Sequence, residues 1–168
     1  MPAYTILPTT IADWPEICAI YREGILTNNA TFNLVEHIPE SGEAWFAGKL
    51  AGFVFKAVDE DGTMLGWGCL SPTSKRDVYR GVVEDSVYVA QSASGMGIGS
   101  ALLAHLIQLA DQSGLWTIIA SIFPENEASV HIHKKHGFRV VGVREKVAKH
   151  HGRWRDVVWM ERRSPNVL

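Results

Sequence analysis

The chain has little cysteine. Cys18 and Cys69 are the two thiols among 168 residues, and they form no CxxC pair. A disulfide framework is thereby excluded, and a reducing cytoplasm is the simplest home. Long apolar runs are missing as well: Ser100, His105 and Gln108 interrupt the most apolar stretch, short of the roughly 18 residues that a membrane span needs. No basic residue precedes Arg22, and Asp13 and Glu16 come early, a pattern of neither a secretory signal nor a transit peptide. Nor is there an excess of one charge. With 16 Lys and Arg against 18 Asp and Glu, the net charge is -2, and no aromatic and basic residues interleave along a strand, which argues against nucleic-acid binding.

What is present is an ordinary globular balance, 46% hydrophobic and 20% charged. The length suits one domain over residues 1–168, able to bury about two thirds of its unfolded surface without staples. The charge is unevenly placed. Residues 1–130 hold 6 Lys and Arg against 15 Asp and Glu, whereas residues 131–168 hold 10 against 3. An anionic ligand near the C-terminal segment is one reading and solvated surface charge the other.

Periodicity places the elements. Tyr4 to Leu7 reads as a short strand, and Trp14, Ile17, Cys18, Tyr21 and Ile25 recur at helical steps behind Asp13 and Pro15. A second amphipathic segment spans Ala44 to Leu50, weakened by Gly48. Phe53 to Val58 and Thr63 to Leu70 flank the turn Asp59-Glu60-Asp61-Gly62 as a hairpin. Val82 to Val89 is the next strand, with Val87 and Val89 on one face and Glu84, Ser86 and Tyr88 on the other. Ile98, Leu102, Leu106 and Leu109 continue at helical spacing towards Gly114, and Thr117 to Ile122 is a β-branched run. This strand–helix–strand crossover makes the two strands parallel. A helix from Asn126 to His136 stops at Gly137, and Val140 to Lys146 and Asp156 to Met160 close the chain, with His150-His151 in the loop between them. The order is that of an α/β (α+β) domain, a mixed central sheet with helices on both faces.

Ser94-Gly95-Met96-Gly97-Ile98-Gly99-Ser100 joins the Val82 to Val89 strand to a helix. Free N–H groups and the positive end of the helix dipole converge there, and glycine lets a phosphate approach the backbone. The turn is not a dinucleotide fingerprint, and the Lys of a Walker loop is absent. Taken with Ser86-Val87-Tyr88-Val89 before it and Asn126-Glu127-Ala128-Ser129-Val130-His131-Ile132-His133-Lys134-Lys135-His136-Gly137-Phe138 after it, the turn resembles the acetyl-CoA site of the GNAT superfamily of N-acetyltransferases. That resemblance implies a GNAT-like sheet whose central parallel strands splay, with acetyl-CoA as the acetyl donor. It implies pyrophosphate on Gly95, Met96, Gly97, Ile98, Gly99 and Ser100, and pantetheine along Val87, Tyr88 and Val89. One position departs from the pattern: Ser94 stands where the family usually has Gln or Arg, and Gln91 comes three places too early. The backbone then carries the phosphate contact. Glu84 to Val89, Asn28 to Phe32 and Gly152 to Trp159 look like the phosphinothricin and methionine-sulfoximine acetyltransferases, which implies a small amino-acid-like amine and a homodimer.

Acetyl transfer to an amine needs a base for the ammonium proton, donors for the oxyanion and an acid for the thiolate. Glu84 is the candidate base, matching the glutamate of the resembling family, which acts through water; Asp85, on the opposite face of the strand, is its rival. Asn126, Ser129 and His133 share one helix face. The resemblance puts Asn126 and Ser129 on CoA and makes His133 the acid; the plainer reading of Asn126 is a helix cap. The oxyanion falls to a strand N–H, that of Val89. Arg76 and Arg80 flank Tyr79, and a guanidinium holds a carboxylate or phosphinate through two hydrogen bonds. Phe32 and Trp154, with Trp159, are candidate pocket walls. A metal site fares poorly, because His131 projects from a different face than His133 and His136. The rival functions are acetylation of peptide N-termini and a non-catalytic acyl-CoA sensor; a sensor needs neither Glu84 nor His133.

Overall fold

The computed structural model describes residues 3–167. Seven strands form one sheet, β1 (Tyr4–Pro8), β2 (Val54–Asp59), β3 (Met64–Pro72), β4 (Val82–Val89), β5 (Thr117–Ile122), β6 (Arg139–His150) and β7 (Arg153–Arg163), in the order β1-β2-β3-β4-β5-β7-β6. Helices α1 (Trp14–Leu26) and α2 (Gly42–Ala47) lie between β1 and β2 in the chain, α3 (Ile98–Gln112) links β4 to β5, and α4 (Glu127–Lys135) follows β5. Only β4 and β5 pair in parallel, as the crossover through α3 requires.

The faces of the sheet follow from two glycines. A Cβ on Gly66 or Gly68 of β3 would stand 3.2 Å from Ile98 and 3.1 Å from Leu106, so the even positions of β3 face α3. Trp67 points the other way, its indole N–H donating to the Ile17 carbonyl of α1 at 3.1 Å. In register, Gly68 lies opposite Val87 and Trp67 opposite Tyr88. Asp85, Val87 and Val89 therefore face α3, and Glu84, Ser86 and Tyr88 face α1. Ile17, Ile20, Tyr21 and Ile25 fill one half of the core, and Ile98, Leu102, Leu103 and Leu106 the other. Each such buried side chain contributes about 1.5–3 kcal/mol.

The central pair comes apart. β4 pairs with β3 from Val83 to Val89 but with β5 only over Val82, Val83 and Glu84, opposite Thr117 to Ile119. Beyond Ile119, β5 continues against β7 alone. Antiparallel strands bond through alternate residues. Because the Ala90 N–H bonds to the Leu65 carbonyl on the β3 side, the N–H groups of Val87 and Val89 turn towards the gap.

Two expectations are corrected. The second helix runs from Gly42 to Ala47, with Gly48 as its cap, because the Leu50 N–H leaves the helix to bond the Leu70 carbonyl at 2.8 Å. The last hairpin is longer than periodicity indicates: His150 ends β6, and His151-Gly152 alone makes the turn, at φ 49° and 76°. Two positive φ values match the twist of paired strands, which lets the ladder run to the turn.

Candidate active site

The gap between β4 and β5 opens into a cavity of about 700 Å³ that runs from Gly95 to Ser121 and Phe123, and its lining includes Glu84, Asp85 and His133. At one end lies the glycine turn. Gly95 and Gly97 adopt φ 79° and 81°, and a Cβ on either would meet nothing within 4 Å, so both backbones are open. Gly97 caps α3, and the first ladder bond runs from the Ala101 N–H to the Gly97 carbonyl. The N–H groups of Ile98, Gly99 and Ser100 are left without helical acceptors at the positive end of a 15-residue helix. This end is built to take an anion. Met96 is the exception along the turn, packing against the core and not lining the cavity.

At the other end two neighbouring carboxylates lie on opposite faces. Burial pushes the Glu84 carboxyl above its usual range and the charge of Asp85 adds to this, while a Ser121 hydrogen bond and the Lys49 charge pull it back. A carboxylate so placed is a stronger base than one in water. Asp85 is held instead against α4: its Oδ2 lies 3.0 Å from His133 Nε2, with both side chains almost wholly buried. Its Oδ1 is buried without a partner. His133 Nδ1 stands 2.7 Å from the Ser129 carbonyl, which only accepts, so this nitrogen carries a proton. Burial lowers the pKa of the ring, but Asp85 and the Ser129 carbonyl outweigh it and hold it above the ordinary histidine value. The Ser129 hydroxyl, 3.4 Å from Nδ1, cannot give its proton to an occupied nitrogen, so the Ser129, His133 and Asp85 set is no hydrolytic triad.

The other candidates divide. Val87, Tyr88, Val89, Asn126, Ser129 and Phe32 line the cavity. Asn126 has two tasks: its side-chain oxygen accepts from the Ser129 N–H at 3.2 Å, capping α4, and its amide donates to the Asn29 carbonyl at 3.3 Å. The plainer reading of this residue as a cap is thus present in the structure. Arg76, Tyr79 and Arg80 sit on an exposed turn outside the cavity lining, Arg76 over the Tyr79 ring at 5.6 Å and Arg80 at 3.2 Å from Asp77. Trp154 is 56% exposed and pairs with Lys149, and Trp159 is 39% exposed beside Arg144. No Lys or Arg lines the cavity. Among the described residues, no three His, Cys, Asp or Glu side chains gather to hold a metal ion.

Sequence reasoning missed two contacts. One is the Asp85–His133 pair, for which the parity of Asp85 with Val87 and Val89 was the available signal. The other is Arg155, whose guanidinium lies 3.8 Å over the Phe123 ring and donates to the Asn28 carbonyl at 2.9 Å. With Asn126 it ties down the Asn28-Asn29 loop, just before the cavity-lining Ala30, Thr31 and Phe32.

A sheet split between parallel strands, with a main-chain anion cradle at one end of the gap and a desolvated carboxylate at the other, defines an acyl-group transferase. Residues 9–159 match the acetyltransferase (GNAT) domain, and the chain belongs to that family. It is 33% identical over 153 residues to an L-methionine sulfoximine/L-methionine sulfone acetyltransferase of Pseudomonas paraeruginosa, covering 90% of this chain and 89% of that one. A GNAT superfamily phosphinothricin acetyltransferase from Sinorhizobium meliloti, solved in complex with AcCoA, superposes with a TM-score of 0.88 at 32% identity, over 98% of this chain and 90% of that one. A ribosomal-protein-alanine N-acetyltransferase from Brucella melitensis superposes with a TM-score of 0.85 at 34% identity, over 95% and 99%.

Proposed function

We propose that the protein transfers the acetyl group of acetyl-CoA to the amine of a small amino-acid-like acceptor of the phosphinothricin, methionine sulfoximine or methionine sulfone type. The observation that carries this reading is the cavity itself, which joins the open glycine backbone to Glu84 through the gap. The pyrophosphate takes the N–H groups at the start of α3, and the pantetheine extends beside Val87 and Val89 as if adding a strand. Glu84, on the α1 face, removes the ammonium proton directly or through one water. The free amine attacks the thioester carbonyl, whose oxyanion meets the Val89 N–H in the gap. His133, on the α4 face, gives its proton to the thiolate. The relative from Pseudomonas paraeruginosa and the neighbour from Sinorhizobium meliloti support the acceptor class. The neighbour from Brucella melitensis favours a peptide N-terminus as the alternative.

The enzyme works as a homodimer in the cytoplasm. Val141 and Val143 on the edge strand β6 are 45% and 52% exposed, an apolar face that a second copy would cover, and both cysteines are free thiols. Light scattering in solution reads the oligomeric state. CoA release from acetyl-CoA, measured over phosphinothricin, methionine sulfoximine, methionine sulfone, polyamines and alanine-terminated peptides, decides the acceptor. Turnover of the first three is expected. Turnover of peptides alone would overturn the amino-acid reading, and CoA binding with no turnover would make the protein a sensor.

A further inference from the structure

Asp85 is a buried carboxylate for which direct base chemistry has no use, since Glu84 faces the acceptor side and Asp85 the opposite one. Its single side-chain partner is His133. We propose that Asp85 is a positioning residue for the transfer: through Oδ2 it keeps His133 protonated on both ring nitrogens, so that the ring meets the departing thiolate as a loaded acid. This inference rests on the acetyl-transfer reading of the same cavity.

The geometry leaves the ring little choice. Nδ1 faces a carbonyl at 2.7 Å and Nε2 faces a carboxylate at 3.0 Å, both acceptors, and a neutral ring would put one lone pair against an oxygen. The pair lies where water does not screen it, and the edge of Phe138 closes the ring in at 4.9 Å. Few other charges bear on it. His136, which caps the same helix, feels the His133 charge, and Glu84 and Cys69 feel that of Asp85. As the tetrahedral intermediate collapses, the C–S bond breaks with its electron pair on sulfur. The Nε2–H, which donates to Asp85 Oδ2 at rest, gives up that hydrogen bond and breaks as S–H forms, and the ring is left neutral, its Nδ1–H still donated to the Ser129 carbonyl. The bare Nε2 then faces Asp85, which draws a proton back from water and restores the imidazolium. The amine proton leaves separately through Glu84. A free thiol has a pKa of about 8.5, so raising the ring above the ordinary histidine value of about 6.5 brings the donor closer to the thiol it must protonate.

The test is a titration of the His133 ring by NMR in the wild type and in Asp85→Asn, with the pH profile of kcat measured on both. In the wild type the ring is expected to keep its charge above pH 6.5. In Asp85→Asn its midpoint should drop by a unit or more, with kcat about ten-fold lower at pH 8 and recovering towards pH 6. A wild-type ring that titrates at or below 6.5 would overturn the proposal even if the variant did not fold. So would an Asp85→Asn enzyme whose kcat falls equally at every pH, as loss of packing alone would make it. Failure of the acetyl-transfer reading shows separately, as wild-type protein that turns over no amine.

Discussion

Glu84 and Asp85 are adjacent residues of one type on one strand, and the sheet gives them opposite fates. Glu84 lies on the α1 face, where the aromatic rings of Tyr21, Trp67 and Tyr88 pack, and burial raises its pKa. Asp85 lies on the α4 face against a histidine. The difference shows how a backbone alternating with period two sorts identical chemistry into an α1 side, where a carboxyl is desolvated, and an α4 side, where a carboxylate is paired with a histidine; in the proposed reaction these are the acceptor and donor sides. The glycine turn belongs to the donor side as well, since Gly99 lies against Val89 and Ile132.

The sharpest way to break this contrast is to neutralise the acceptor side. Glu84→Gln should lower kcat by about 10²-fold or more at neutral pH. The deficit should shrink at high pH, where the amine is free without help. Steady-state rates across pH check both parts, and an unchanged kcat at neutral pH would remove Glu84 from the chemistry. On the donor side, Gly99→Val should act on binding instead. The new Cβ would sit 3.4 Å from Val89 and 3.6 Å from Ile132, and its methyl groups would crowd the cavity. A ten-fold or greater rise in KM for acetyl-CoA, about 1.4 kcal/mol, is expected with kcat largely kept. The smallest effect is on stability. Burial first, and the charge of Asp85 second, raise the Glu84 pKa, so ionising it in the fold is unfavourable. The sign follows from linkage: stability is full below the unfolded value near 4.5 and is lost as pH rises through the folded value. Glu84→Gln should therefore melt higher than the wild type at pH 7, by about 2–4 °C for each kcal/mol regained, and equally at pH 4. Thermal unfolding at the two pH values reads the difference.

Much of this arrangement was legible in the sequence. β4 and β5 have the bounds that periodicity assigns them, because β4 alternates between two faces and β5 is a short apolar, largely β-branched run, each with a clear start and stop. The C-terminal hairpin was not legible in full, since β6 is an edge strand exposed over most of its length and carries no alternation of apolar and polar residues. Glu84 and His133 line one cavity, as the family resemblance implies, but their surroundings were hidden. Asp85 and His133 are 48 positions apart, and their contact depends on where α4 docks, which no local pattern encodes. Arg76, Tyr79, Arg80 and Trp154 show the converse. Their residue types suit a pocket, yet Arg76, Tyr79 and Arg80 lie on an exposed turn and Trp154 at the exposed start of β7, and all four stand outside the cavity lining.

The gap between β4 and β5 holds one further consequence. It is made by the divergence of two backbones after three paired positions. Substitutions along its rim, at Phe32, Ser121 or Phe123, change the lining of the cavity without moving the strands that open it. The opening thus belongs to the topology, and its lining to individual side chains. A lineage built on this sheet can therefore exchange one amine for another and still use the same acyl carrier.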